Sequence, residues 1–172
     1  MDTHLHHDHH ELHLKSSDFI SDIVIGMSDG LTVPFALAAG LSSAVQSNSL
    51  IITAGFAEIV AGSIAMGLGG FLAGQTEMDH YKSELKREHE EVITLPDVER
   101  KEVKDVFASM GLSEEVQERA TYELCLDEEK WVQFMMRYEL GLEKPDEKRA
   151  RKSALNIGLS YVVGGVIPLL SY

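Results

Sequence analysis

Residues 16–81 contain no Lys or Arg, and within the apolar part of that run, residues 19–75, the only charged side chains are Asp22, Asp29 and Glu58. Two stretches there, 19–45 and 50–75, are each long enough to cross a bilayer, since about 20 helical residues span the hydrocarbon core and tilt absorbs any excess. The short polar segment 46–49 joins them, and a third apolar run, 154–172, is barely long enough. These features predict an all-α membrane protein with three transmembrane helices.

Acids inside such a run are expensive. A carboxylate at the bilayer centre costs roughly 2.5 to 3.5 kcal/mol on insertion scales, and intramembrane acids face a bundle interior or a watery path. With no base in the run to neutralise them, the expected partner is a cation: a proton or a metal ion. Asp22 and Asp29 are seven residues apart, which on a helix places them within about 20° of each other and roughly 10 Å apart along the axis. They line one stripe. Pro34 follows Asp29 by five residues, removes a backbone hydrogen bond and is expected to kink the helix. Freed carbonyls beside a buried acid suit an ion site, although an ordinary packing kink explains the proline alone.

The second apolar run carries Ala57, Ala61, Ala65, Gly69 and Ala73 at four-residue spacing, with Gly70 and Gly74 beside them. Small residues so spaced let helices approach closely in lipid. Glu58 and Met66 fall within about 80° of each other on the same helix, so a thioether and a carboxylate could share a path for a transition metal. Met in a membrane helix is more often apolar filling.

Charge orients the chain. Residues 77–152 carry 14 of the 15 Lys and Arg residues, while the 46–49 loop has none. The positive-inside rule therefore puts the long segment, and with it the N-terminus, in the cytosol. That segment also carries 21 acids, an excess that argues against nucleic acid and for cations. The start, with HLHHDHHELH at residues 4–13, lacks the basic n-region and cleavable h-region of a signal peptide. It reads as a disordered His-rich tail over 1–18 with a weak metal affinity at most. The single cysteine, Cys125, permits no intrachain disulfide.

The resulting domain plan is the tail at 1–18, membrane helices over 19–76, a three-helix cytosolic domain over 77–152 and a third membrane helix over 153–172. The second membrane helix is expected to run on to Leu95. Pro96 then opens a helix that Gly111 closes, Ser113 caps another, and Asp127 caps a third that Gly141 ends.

Glu88 and Glu91 are three residues apart on the first of these helices, as are Glu99 and Glu102 on the next, so each pair shares a helix face. The third helix offers Met135, Met136 and Glu139, the carboxylate lying four and three residues beyond the two sulfurs. Carboxylate oxygens suit divalent ions and thioether sulfur favours softer ones, so a mixed site points to ferrous iron ahead of calcium or magnesium. Acidic pairs at helical spacing are usually a solvated face, and Phe134–Met136 near Trp131 is more often a small core.

The strings DIVIGMSDGLTVPFALAAGLS, AEIVAGSIAMGLGGFLAG, HYKSELKREHEEV and FMMRYELGLEKPDEKRA occur in that order, and the chain from about Ser17 onward resembles the vacuolar iron transporter family, including its plant nodulin-like members. The resemblance implies a homodimeric, proton-coupled exporter of ferrous iron from cytosol into the vacuole, with manganese as a further substrate. It implies a cytosolic metal-binding domain, where manganese or zinc could also bind, inserted between the second and third membrane helices. By motif, Asp29, Glu58 and Met66 correspond to pathway residues, with Asp22 in the same stripe. Glu88, Glu91, Glu99, Glu102, Met135, Met136 and Glu139 correspond to the cytosolic metal ligands. The family has five membrane helices where this chain has three, which implies a fragment or shortened form. A second class of function therefore stays open: a membrane-tethered metal-binding regulator without transport. An enzymatic, ferritin-like di-iron reading finds one ExxH, Glu77–His80, where two and two further Glu residues are needed.

Overall fold

The computed structural model describes side chains for residues 18–172. The His-rich segment expected to be a disordered tail is instead helical from Leu5 onward, as the start of the first helix, and its side chains lie outside the described residues. The described residues form six helices: α1 Leu5–Ala44, α2 Asn48–Thr94, α3 Pro96–Ser109, α4 Glu114–Leu124, α5 Glu128–Tyr138 and α6 Arg149–Leu169. No strand occurs among the described residues. Among the described residues three helices are long and apolar enough to cross a membrane: α1 from Asp18, α2 and α6. The last begins at Arg149, five residues before the apolar run. The chain divides into two compact units, 1–75 with 147–172, and 76–146.

In the first unit α6 packs on both α1 and α2 through glycines. A β-carbon at Gly26 or Gly30 of α1 would strike the backbone of Ile157 or Tyr161, and one at Gly164 of α6 would meet the Met27 carbonyl at 2.9 Å. On α2, Gly62 accommodates the Tyr161 ring and Gly74 the Ala150 backbone. The expected alanine stripe does not do this packing: Ala57, Ala61, Ala65, Gly69 and Ala73 are exposed in this chain. The face α6 uses is one residue on, at Gly62 and at the expected Gly70 and Gly74, about 100° around the helix, where a β-carbon would strike the Tyr161 ring, the tip of Ile157 and the Ala150 backbone. Helix α1 continues through Pro34, which is buried and lies beside Gly165.

In the second unit the end of α2 packs with α3, α4 and α5 around Tyr81, Val92, Val103, Trp131, Val132, Met135 and Met136. Burying each such side chain contributes about 1.5 to 3 kcal/mol. The boundaries follow local chemistry. Pro96 occupies the first turn of α3, and Asp127 accepts from the Lys130 N–H to start α5. Gly111 and Gly141 take φ of +84° and +64°, the left-handed conformation that closes α3 and α5. Ser113 precedes α4 as expected but makes no capping hydrogen bond.

Candidate metal-binding and translocation sites

Three helices bring Glu88 (α2), Glu99 (α3) and Glu139 (end of α5) together, with one oxygen from each within 4.8 Å of the others. Glu88 and Glu99 are only 2% and 4% exposed, and the Oε2 atom of each is buried without a protein hydrogen-bond partner. An orphaned buried carboxylate oxygen costs on the order of several kcal/mol unless something binds it. Here the cost falls where a divalent cation would find ready-made ligands.

The electrostatics follow from that burial. Burial, then the charges of Glu139 and Glu91, push Glu88 up to about 7, with Arg87 opposing. Glu99 is likewise raised to about 7, by burial first and then by Glu102 and Glu88. Glu139 is raised too, by partial burial and then by Glu102. Near neutral pH the cluster therefore exchanges protons, and a metal ion entering it displaces them.

Of the seven cytosolic residues expected to hold metal, the structure gathers these three carboxylates. Glu91 and Glu102 are half-buried and close enough to act on the cluster electrostatically. Met135 and Met136 are fully buried members of the apolar core on the helix whose end carries Glu139. Arg87 was not read from the sequence. It pairs with Glu84 at 2.8 Å, Glu91 at 3.4 Å and Glu88 at 3.7 Å. Its signal was its i−3 and i+4 spacing to Glu84 and Glu91.

In the membrane unit the acids sort into two groups. Glu58 of α2 accepts a 2.5 Å hydrogen bond from the Tyr161 hydroxyl of α6. Its other oxygen, Oε2, is buried without a protein partner. Asp29 lies close enough to act electrostatically on the same hydroxyl, so residues from α1, α2 and α6 converge on one polar point. Met66, half-buried, stands two turns beyond Glu58 on α2. Asp22 is buried at 8% exposure and is engaged elsewhere, accepting from Ser153 Oγ at 2.8 Å and Asn156 Nδ2 at 3.2 Å. One turn earlier, Asp18 pairs with Arg149. Sequence reading missed Tyr161, Ser153 and Asn156. The latter two are polar residues three apart in an apolar run, a spacing that signals a shared face.

A sequence profile of the VIT family matches residues 20–172. The chain belongs to the VIT family. Among its relatives, "Vacuolar iron transporter 1" of Oryza sativa subsp. japonica is 53% identical over 170 residues, covering 99% of this chain and 68% of that protein. "Vacuolar iron transporter 1" of Arabidopsis thaliana is 52% identical over 166 residues, 96% of this chain and 66% of its own length. "Protein CCC1" of Saccharomyces cerevisiae is 43% identical over 155 residues, 89% of this chain and 48% of that one. The chain thus spans about two thirds of its plant relatives in the VIT family.

Proposed function

We propose that this protein takes part in moving ferrous iron from the cytosol into the vacuole in exchange for protons, with manganese as a second substrate. The observation that carries the reading is the cluster of buried Glu88 and Glu99 with exposed Glu139, which brings one oxygen of each within 4.8 Å of the others. Hard oxygens with protons to release capture a divalent ion. The names of the rice and Arabidopsis relatives support iron as that ion and the vacuolar membrane as the location.

In this reading unit 76–146 faces the cytosol, in accord with its basic flanks, and collects metal through Glu88, Glu99 and Glu139. Glu91 and Glu102 supply further charge, and Met135 or Met136 supplies a sulfur that favours ferrous iron; manganese and zinc are weaker occupants. Asp29 and Glu58, with Met66 and Asp22, form the membrane path. The working unit is a homodimer. The test is rescue of an iron-sensitive cell that lacks its own vacuolar iron transporter. Asp29→Ala and Glu58→Ala abolish rescue, because an uncharged path gives a divalent ion nothing in place of its water. Rescue by both variants would overturn the path.

One observation favours the alternative of a membrane-tethered metal-binding regulator: the carboxylate cluster is built wholly from unit 76–146. Metal binding by the chain in sealed vesicles without metal uptake would decide for the regulator.

A further inference from the structure

Resting on the assignment of Asp22 to the cation path, we infer that Ser153 and Asn156 of α6 complete a cation-holding station with Asp22, exchanging their role as donors for that of oxygen ligands. Asp22 is buried, and each of its oxygens meets one uncharged donor: Ser153 Oγ on Oδ1 at 2.8 Å and Asn156 Nδ2 on Oδ2 at 3.2 Å. Ser153 is itself buried and Asn156 half-buried. The basic residue one turn earlier on α6, Arg149, pairs with Asp18. The Asp22 carboxylate is therefore held by neutral groups alone among these contacts, which leaves its charge for a cation to balance.

The chemistry of the two donors makes the station more than a clamp. A serine hydroxyl is donor and acceptor at one atom, and an asparagine amide carries a carbonyl oxygen on the same planar group as its NH2. Rotation of Ser153 about χ1 and of Asn156 about χ2 replaces the donated hydrogens with lone pairs. Asp22, Ser153 Oγ and Asn156 Oδ1 then present hard oxygens of the kind that hold divalent manganese or ferrous ions. The i, i+3 spacing of Ser153 and Asn156 keeps both on the face of α6 that meets α1. Without a cation the same pair satisfies Asp22, so the station is stable in both conditions.

The discriminating variant is Asn156→Asp, which keeps the ligand oxygen and removes the donor. Binding of Mn2+ is followed by calorimetry and by the metal-dependent rise in melting midpoint of the full chain in detergent. All proteins carry Glu88→Gln, Glu99→Gln and Glu139→Gln to silence the cytosolic cluster, and the signal is the part of binding lost in Asp22→Asn. A ligand role predicts that Asn156→Leu weakens this binding on the order of tenfold. Asn156→Asp strengthens it by a similar factor while lowering the melting midpoint without metal. A purely structural donor role predicts that both variants lower the midpoint and neither moves affinity, which overturns the inference, as does a shift of both in the same direction. If Asn156→Asp does not fold, Ser153→Ala takes its place, with weaker binding expected and unchanged binding contradicting. Binding that follows this pattern in a chain that fails to carry metal into vesicles would uphold the station and overturn the transport reading.

Discussion

Metal binding at the Glu88, Glu99 and Glu139 cluster should weaken steeply as pH falls through a range where ordinary carboxylates do not titrate. Glu88 and Glu99 are each raised to about 7, chiefly by burial. A carboxyl of that pKa is roughly tenfold more protonated than ionised at pH 6 and the reverse at pH 8. A metal ion that displaces two such protons loses about 100-fold in apparent affinity over those two units. Carboxyls left at the usual 4.5 would give a change of about 1.1-fold or less for each group over the same range. The prediction separates two outcomes that differ by two orders of magnitude. The single tryptophan, Trp131, is 4% exposed in the core beside Met135 and Met136 and serves as the probe, since a paramagnetic ion nearby quenches its fluorescence. Titrating the full chain in detergent with Mn2+ under anaerobic conditions at pH 6, 7 and 8 measures the slope. A change under threefold between pH 6 and 8 would refute the argument that burial holds these protons.

The same protons set stability without metal. A carboxyl whose folded pKa lies above its unfolded value binds protons more tightly when folded, so its contribution is fully present below about pH 4.5 and lost as pH rises through about 7. The protein without metal should therefore melt at a higher temperature at pH 5 than at pH 8, and Glu99→Gln should flatten that difference while removing most metal binding. Each group's share is at most about 3 kcal/mol, from 1.36 kcal/mol per pKa unit, and less where the two couple. In the membrane unit, Gly30→Ala should cost on the order of 2 kcal/mol or more, because the new methyl overlaps the Tyr161 backbone, whereas Gly69→Ala meets nothing within 4 Å and should be neutral or stabilising; thermal melts in detergent rank the two. Tyr161→Phe removes the donor to Glu58 Oε1, leaving both Glu58 oxygens unpaired, and should slow metal uptake at least tenfold with the folded content unchanged by circular dichroism.

Much of the architecture was legible because it rests on local rules. The base-free apolar runs marked α1, α2 and α6, while Pro96, Gly111, Asp127 and Gly141 marked the ends of the short helices through capping and left-handed φ. Spacing named Glu88, Glu99 and Glu139 as candidates. It could not show that three helices would bring one oxygen of each within 4.8 Å, since that depends on how α3 and α5 pack on α2. Periodicity marked the alanine stripe of α2 and, beside it, Gly70 and Gly74, and could not say which of the two faces α6 would use. The choice was made by Tyr161 and Ile157 of α6, bulky side chains more than 80 residues away in the chain, which pack against Gly62 and Gly70. The partners of Asp22 and Glu58 were hidden for the same reason: Ser153, Asn156 and Tyr161 lie more than 100 residues downstream of them.

The central claim is that the carboxylates of this chain serve the passage of ferrous iron across a membrane. It is tested most directly by reconstituting the chain into sealed vesicles with an acidic interior and measuring ferrous iron that becomes trapped inside. The account predicts uptake that collapses when the pH gradient is dissipated and is absent in Asp29→Ala and Glu58→Ala. Iron bound by the protein with none entering the vesicles, gradient or not, would contradict it.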